Sequence, residues 1–263
     1  MVSTNIQRWW NTHLWHHPER WARFVFLLYM ALLPGSILTL LFGEIPDNAR
    51  GFGGVLLLLQ GVSIGLWLHT WLGRSAWWPI IIIALGAWAV EHVGATYDVP
   101  FGAYDYTAVL GPMIFATVPV VIVFAWLMVI AGAWQSVITL NPLATWWMRC
   151  VGTGLVVMLF DILIEPVATH INGYWIWHDT GPYYGVPTVN FAGWWLVGFV
   201  LACATDRWLR RIPGHASRLP IVSMLSSSVL FAVMTYTDGY YLATALSVAS
   251  LVGAWWWYRS RAQ

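Results

Sequence analysis

The chain has 263 residues, of which 59% are hydrophobic and only 9% charged, with a formal net charge of +1. A soluble domain carries roughly a quarter charged residues, so the composition predicts a polytopic membrane protein, and no motif points to a nucleic-acid partner. All twelve cationic side chains are arginine, which excludes lysine Schiff-base chemistry, retinal photoreception included.

Residues 1–21 lack the order of a cleaved signal peptide, and Ile6, Trp9, Trp10, His13, Leu14 and His17 recur at helical spacing. They predict an amphipathic segment lying in the membrane interface. His13, His16 and His17 form an HxxHH pattern like one histidine box of membrane di-iron hydroxylases. His69, His92, His170, His178 and His215 stand singly, so a full ligand set is lacking and no metal is expected.

Eight apolar runs follow, each near the ~20 residues that cross a bilayer: 22–43, 52–73, 76–97, 111–134, 147–169, 187–205, 219–237 and 240–258. They predict an all-α helix bundle forming one transmembrane domain over 22–258. Eleven of the twelve arginines fall on the connections that share a side with both termini, and only Arg50 falls opposite. The positive-inside rule then predicts about eight spans with cytoplasmic termini, in the cell membrane. Cys150 and Cys203 fall near cytoplasmic span ends and read as packing residues rather than a disulfide or metal site. The 21 tryptophans exceed what interfacial belts need, which suggests an aromatic-lined interior.

Ionisable groups inside spans cost a few kcal/mol or more and are functional candidates by default. Glu91 lies in the outer part of span three, Asp161 near the middle of span five, and Glu165 one helical turn further out on the same face. Two carboxyls this close in an apolar setting do not easily both ionise, so one is expected to hold a proton. An acid beside a carboxylate is the equipment of general acid–base catalysis, and Asp98 and Asp105 could supply either half. The structural alternative is that these acids cap helices or bond Trp and Tyr in the bundle; Asp179 and Asp238, beside loops, fit it better. Tyr97, Phe101, Tyr104, Tyr106, Trp175, Trp177, Tyr184, Phe191 and Trp194 crowd the same level. Some belong to an aromatic belt; the others would shelter a cation. A short similarity between Glu91-His-Val-Gly-Ala-Thr and Glu165-Pro-Val-Ala-Thr hints at parallel copies of one unit.

The block Glu91–Thr107, with Pro-Phe-Gly-x-Tyr-x-Tyr at Pro100–Tyr106 and then Leu110-Gly111-Pro112, resembles the integral-membrane carotenoid 1,2-hydratases, among them the bisanhydrobacterioruberin and gamma-carotene hydratases. Asp161, Glu165-Pro166, Trp175-x-Trp177, Tyr184-Gly185-Val186-Pro187 and Asn190-Phe191-x-x-Trp194 are similar to that family's second signature, so the likeness covers roughly residues 90–200. It implies cofactor-free addition of water across the terminal 1,2 double bond of an acyclic carotenoid. Asp161 or Glu91 would protonate C2, aromatic faces would shelter the tertiary cation at C1, and Glu165 or Asp105 with Asn190 would hold water. The implied partners are a lipid-soluble carotenoid, membrane lipid and other enzymes of the pathway. No phosphate loop, dinucleotide fingerprint or DDxxD-type motif supports redox or prenyl-transfer chemistry. A carotenoid end-group cyclase would use the same protonation, a proton-coupled transporter would use the same carboxylates, and an inactive carotenoid-binding protein would use the same aromatics.

Overall fold

The computed structural model describes residues 17–42 and 51–261. Most of the segment expected at the interface, with its His13 and His16, lies outside the described residues, as do Glu44, Asp47 and Arg50. Among the described residues there are eight long α-helices, α1 (Arg20–Phe42), α2 (Phe52–Leu72), α3 (Trp77–Tyr97), α4 (Val120–Leu140), α5 (Trp146–Pro166), α6 (Thr188–Leu209), α7 (Leu219–Thr237) and α8 (Tyr241–Arg261). Among the described residues, six segments are long and apolar enough to cross a membrane, with Phe52–Tyr97 counted as one 46-residue stretch. The last helix is outside those six, since its sequence mixes Trp, Tyr, Ser and Arg into the apolar run.

The chain reverses between α2 and α3, and both pack on α4. Gly54 on α2 lies against Val121, and Glu91 on α3 bonds Trp126, so the far ends of both helices meet the first part of α4. The reversal falls at Gly73, whose φ of +55° favours a residue without Cβ. The most extensive helix contact is that of α5 with α6. A Cβ at Gly154 would stand 2.7 Å from the Trp195 carbonyl oxygen, so the bare glycine lets the two backbones approach, as small residues do between membrane helices.

The fourth expected run begins later than the sequence suggested, at Val120 rather than 111. Pro112 and Pro119 cannot donate to a helical ladder, and residues between them instead pair as a small hairpin, β2 (Met113–Ile114) with β3 (Val118–Pro119). At the other side, α5 runs past Pro166 into a π-helical turn over Val167–Ile171.

The two ends of the bundle are tied differently. At the arginine-rich end, Glu19 accepts from the Trp71 indole at 2.7 Å, the Ser217 amide at 2.9 Å and Arg23 at 3.3 Å, joining α1, α2 and the turn before α7. Burial raises the Glu19 pKa, but the Ser217 and Trp71 hydrogen bonds and the Arg23 charge outweigh it and hold the carboxyl below its ordinary value. Arg149 grips Asp206 through two bonds of 2.6 and 2.7 Å, and Trp134 adds a third donor at 3.1 Å, locking α5 to α6 and α4. Cys150 and Cys203 are free thiols at this end, with Cys150 buried. At the opposite end, β1 (Tyr104–Tyr106) pairs antiparallel with β4 (Trp175–Trp177), a ribbon made from two loops about seventy positions apart in the sequence.

Candidate active site

Side chains alternate across a strand, so the register of the ribbon decides which residues face inward. Tyr104 lies opposite Trp177 and Tyr106 opposite Trp175, with Asp105 and Ile176 between them on the other face. The inward face is therefore four aromatic rings, each ending in an O–H or N–H donor. The Tyr104 and Trp177 rings are 5.1 Å apart and those of Tyr106 and Trp175 5.9 Å.

These donors meet the carboxylates. Glu91 Oε2 accepts from the Tyr104 and Tyr106 hydroxyls at 2.7 and 2.9 Å, and Oε1 accepts from the Trp126 indole at 2.8 Å. Glu165 Oε2 accepts from Trp177 at 2.9 Å and Trp175 at 3.3 Å. The Asn190 amide, in the first turn of α6, bridges Asp161 Oδ2 at 2.7 Å and Glu165 Oε1 at 2.9 Å. Asp161 Oδ1 and Asn190 Oδ1 are buried and find no hydrogen-bond partner among the described residues. All three carboxylates are buried, and among the described residues none is ion-paired to an arginine or histidine. Burial first, and then the charge of Glu91, push the Tyr104 and Tyr106 pKa values above the ordinary phenol range, so both stay neutral donors.

Each half of the site has the same plan. A helix carries a carboxylate, a loop follows, and a short strand returns two aromatic donors to that carboxylate: Glu91 with Tyr104 and Tyr106, Glu165 with Trp175 and Trp177. The short sequence similarity beginning at these two glutamates thus has a structural counterpart.

A cavity of about 400 Å³ opens beside the first half. Glu91, Tyr106, Trp126, Trp175 and Trp194 form its reactive side. The Trp126 and Trp194 rings stack at 4.5 Å, and Phe101 backs Trp194 at 6.4 Å. Its other walls come from α1, α2, α5 and α7 and are mostly aliphatic. Such an apolar chamber with a few convergent polar groups is the usual form of a site for a hydrophobic ligand. Asp161, Glu165 and Asn190 do not line it; they stand behind Trp175.

Of the residues singled out from sequence, Glu91, Asp161, Glu165, Phe101, Tyr104, Tyr106, Trp175, Trp177, Asn190 and Trp194 come together. Tyr184 and Phe191 flank the cluster through Tyr183, whose ring is 4.8 Å from Tyr184 and 5.9 Å from Phe191. Asp105 does not join it: its side chain is 72% exposed and pairs with His178 at 2.8 Å, because strand alternation turns it away from Glu91. Tyr97, at the exposed end of α3, is 69% accessible and also stands apart. Sequence reasoning missed Trp126, hidden among the aromatics of an apolar span. It also missed Gln60, although a lone amide within Leu-Leu-Leu-Leu-Gln-Gly is a polar group in a span and could have been found on that ground. Among the described residues no three His, Cys, Asp or Glu side chains cluster so as to hold a metal.

A family model described as "Carotenoid biosynthesis protein" matches residues 52–254, which contain every site residue above. A bisanhydrobacterioruberin hydratase from Haloarcula japonica is 33% identical over 135 residues, covering 51% of this chain and 45% of the relative. The chain thus spans about half the length of that curated relative. No solved structure matches.

Proposed function

This chain belongs to the carotenoid biosynthesis protein family, and on that footing we propose that it hydrates the terminal 1,2 double bond of an acyclic carotenoid, with Glu91 as the proton donor and acceptor. The observation that carries the reading is that the apolar cavity meets a buried carboxyl at Glu91, held by neutral donors and faced by aromatic rings. A carboxylate clamped by arginine is fixed as an anion. One held by phenols and an indole has no paired countercharge to fix it as an anion.

In the reaction, the protonated Glu91 carboxyl gives its proton to C2 as the alkene π pair forms the new C–H bond. A tertiary cation is left at C1 and is stabilised by the faces of Trp126 and Trp194, an interaction of about 2 kcal/mol or more in a water-free site. Water adds its oxygen lone pair to C1, and the proton it releases returns to the Glu91 carboxylate. The sum is one water added and the acid restored. Tyr104 and Tyr106 keep the carboxylate oriented between the two proton transfers. Glu165 holds the Trp175 ring against the cavity, and Asn190 and Asp161 hold Glu165.

The chain is read as about eight membrane crossings with the arginine-rich end and both termini in the cytoplasm, so the cavity lies toward the outer leaflet and takes its substrate from lipid. The test is incubation of membranes carrying the protein with lycopene, followed by mass spectrometry of the pigments. Gain of one water supports hydration. An unchanged mass with altered absorption would assign cyclisation instead, in which the cation loses a proton rather than meeting water. Unaltered pigment would overturn both.

A further inference from the structure

Two of the three buried carboxyls stand outside the cavity, and one of them is bonded to its wall. The Asn190 amide nitrogen reaches Asp161 Oδ2 at 2.7 Å and Glu165 Oε1 at 2.9 Å. Two buried carboxyls sharing one donor nitrogen lie too close for both to ionise readily. The donors divide unequally between them. Glu165 receives the Trp177 and Trp175 indoles as well as Asn190, whereas Asp161 receives Asn190 alone. Asp161 Oδ1 takes no bond among the described residues. Donated hydrogen bonds favour the charged form of an acid, so the proton stays on Asp161 and the negative charge on Glu165. Asn190 comes from the first turn of α6, so the positive end of that helix also lies beside the pair. No ion pair holds Glu165 ionised among the described residues; the neutral Asp161 beside it does so by keeping the one shared proton.

A single ring separates this charge from the cavity. Trp175 lines the chamber, and its indole N–H donates outward to Glu165 at 3.3 Å. The N–H is the positive end of the indole dipole, so aiming it at Glu165 turns the negative end toward the chamber. A hydrogen bond to an anion polarises its donor further, and both effects raise the attraction of this wall for a cation. Direct attraction to the carboxylate adds to it, since little water is present to screen the charge. Trp126 is bonded to Glu91 in the same way at 2.8 Å. There, however, the anion forms only after Glu91 has given up its proton.

We propose that Glu165 is a fixed anion that stabilises the carbocation through Trp175. The positive partner it lacks at rest is the charge that the reaction creates at C1. Glu165 is thus a positioning residue, acting through a ring and keeping its charge throughout. The inference rests on the hydration reading for the cation, but the wall's preference for positive charge is measurable without turnover.

The probes are a long-chain N,N-dimethylalkylamine, protonated at neutral pH, and the 2-methylalkane of the same length. Each competes with a polyene that quenches tryptophan fluorescence in purified protein held in lipid nanodiscs. A Glu91→Gln background keeps that carboxylate from pairing with the amine. Adding Glu165→Gln is expected to lower the amine-to-alkane affinity ratio about tenfold or more with the alkane's affinity unchanged. Trp175→Phe, which keeps a ring but removes the N–H, should lower the ratio comparably and carries the test if the glutamine variant misfolds. The two changes together should lose no more than either alone, as a single chain of contacts requires. With Glu91 intact, Glu165→Gln should lower kcat for lycopene about tenfold or more with KM little changed, because the cation exists only at the transition state. The infrared spectrum should lose a carboxylate band in Glu165→Gln and a protonated-acid band in Asp161→Asn. An unaltered ratio in either single variant, equal losses for amine and alkane, or an exchange of the two infrared bands overturns the proposal. A ratio lowered as expected with no mass gain in any pigment would sink the hydration reading and leave the role of Glu165 standing.

Discussion

The two ends of this bundle both bury carboxylates, and they hold them by opposite means. Asp206 and Glu19 are held in part by arginines, Arg149 and Arg23. Glu91 and Glu165 are held by phenol, indole and amide donors that carry no charge. An ion pair locks its acid in one protonation state and serves architecture. Neutral donors satisfy the oxygens but bring no countercharge to hold the acid ionised. The difference separates a structural carboxylate from a chemical one where burial alone does not.

The largest effect should come from the neutral-donor end. Glu91→Gln keeps the shape and can still accept from Tyr104 and Tyr106, so the protein should fold while hydration falls by at least about a hundredfold, the lower range for a general acid. Retained turnover in a folded variant would erase the contrast between the ends. Next is Arg149→Ala, which leaves Asp206 buried without its cation. It should cost about 3 kcal/mol of stability, read as a lower unfolding midpoint in detergent, with turnover per folded molecule unchanged.

Acid should act on the arginine-rich end in a smaller and graded way. The folded-state pKa of Glu19 lies below its ordinary value of 4.5. Its contribution to stability is therefore complete above the unfolded value and lost as pH falls through the folded one. A Glu19→Gln variant should show a shallower loss of stability than the wild type over that acidic window. Smallest is Asp105→Asn, which breaks only the exposed pair with His178. Hydration and midpoint should both stay within assay error, because exposed ion pairs contribute about 0–1 kcal/mol; a large loss of hydration would return Asp105 to the site.

Much of this is legible in the amino-acid sequence. Hydropathy placed a helix at each of the eight apolar runs, and the cost of burying acids singled out Glu91, Asp161 and Glu165. What hydropathy could not show was pairing between strands of three residues from separate loops. The register of that ribbon turns Tyr104 and Tyr106 inward and Asp105 outward, and a shift by one residue would reverse all three. The late start of α4 had a readable cause in Pro112 and Pro119, obscured because Met113–Val118 is otherwise as apolar as a span. Trp126 carried no signal of its own among 21 tryptophans; only its distance to Glu91 distinguishes it.

The pairing of each carboxylate with the strand that follows it also bears on how the protein is made. An acid entering the bilayer without partners is costly. Glu91 finds its phenols 13 and 15 residues later, and Glu165 its indoles 10 and 12 residues later. Closing loops of that size carries a small entropic cost that grows only with the logarithm of length. Each half can quiet its own acid during biogenesis as soon as its strand emerges. Only the seam between β1 and β4 must wait for the second half.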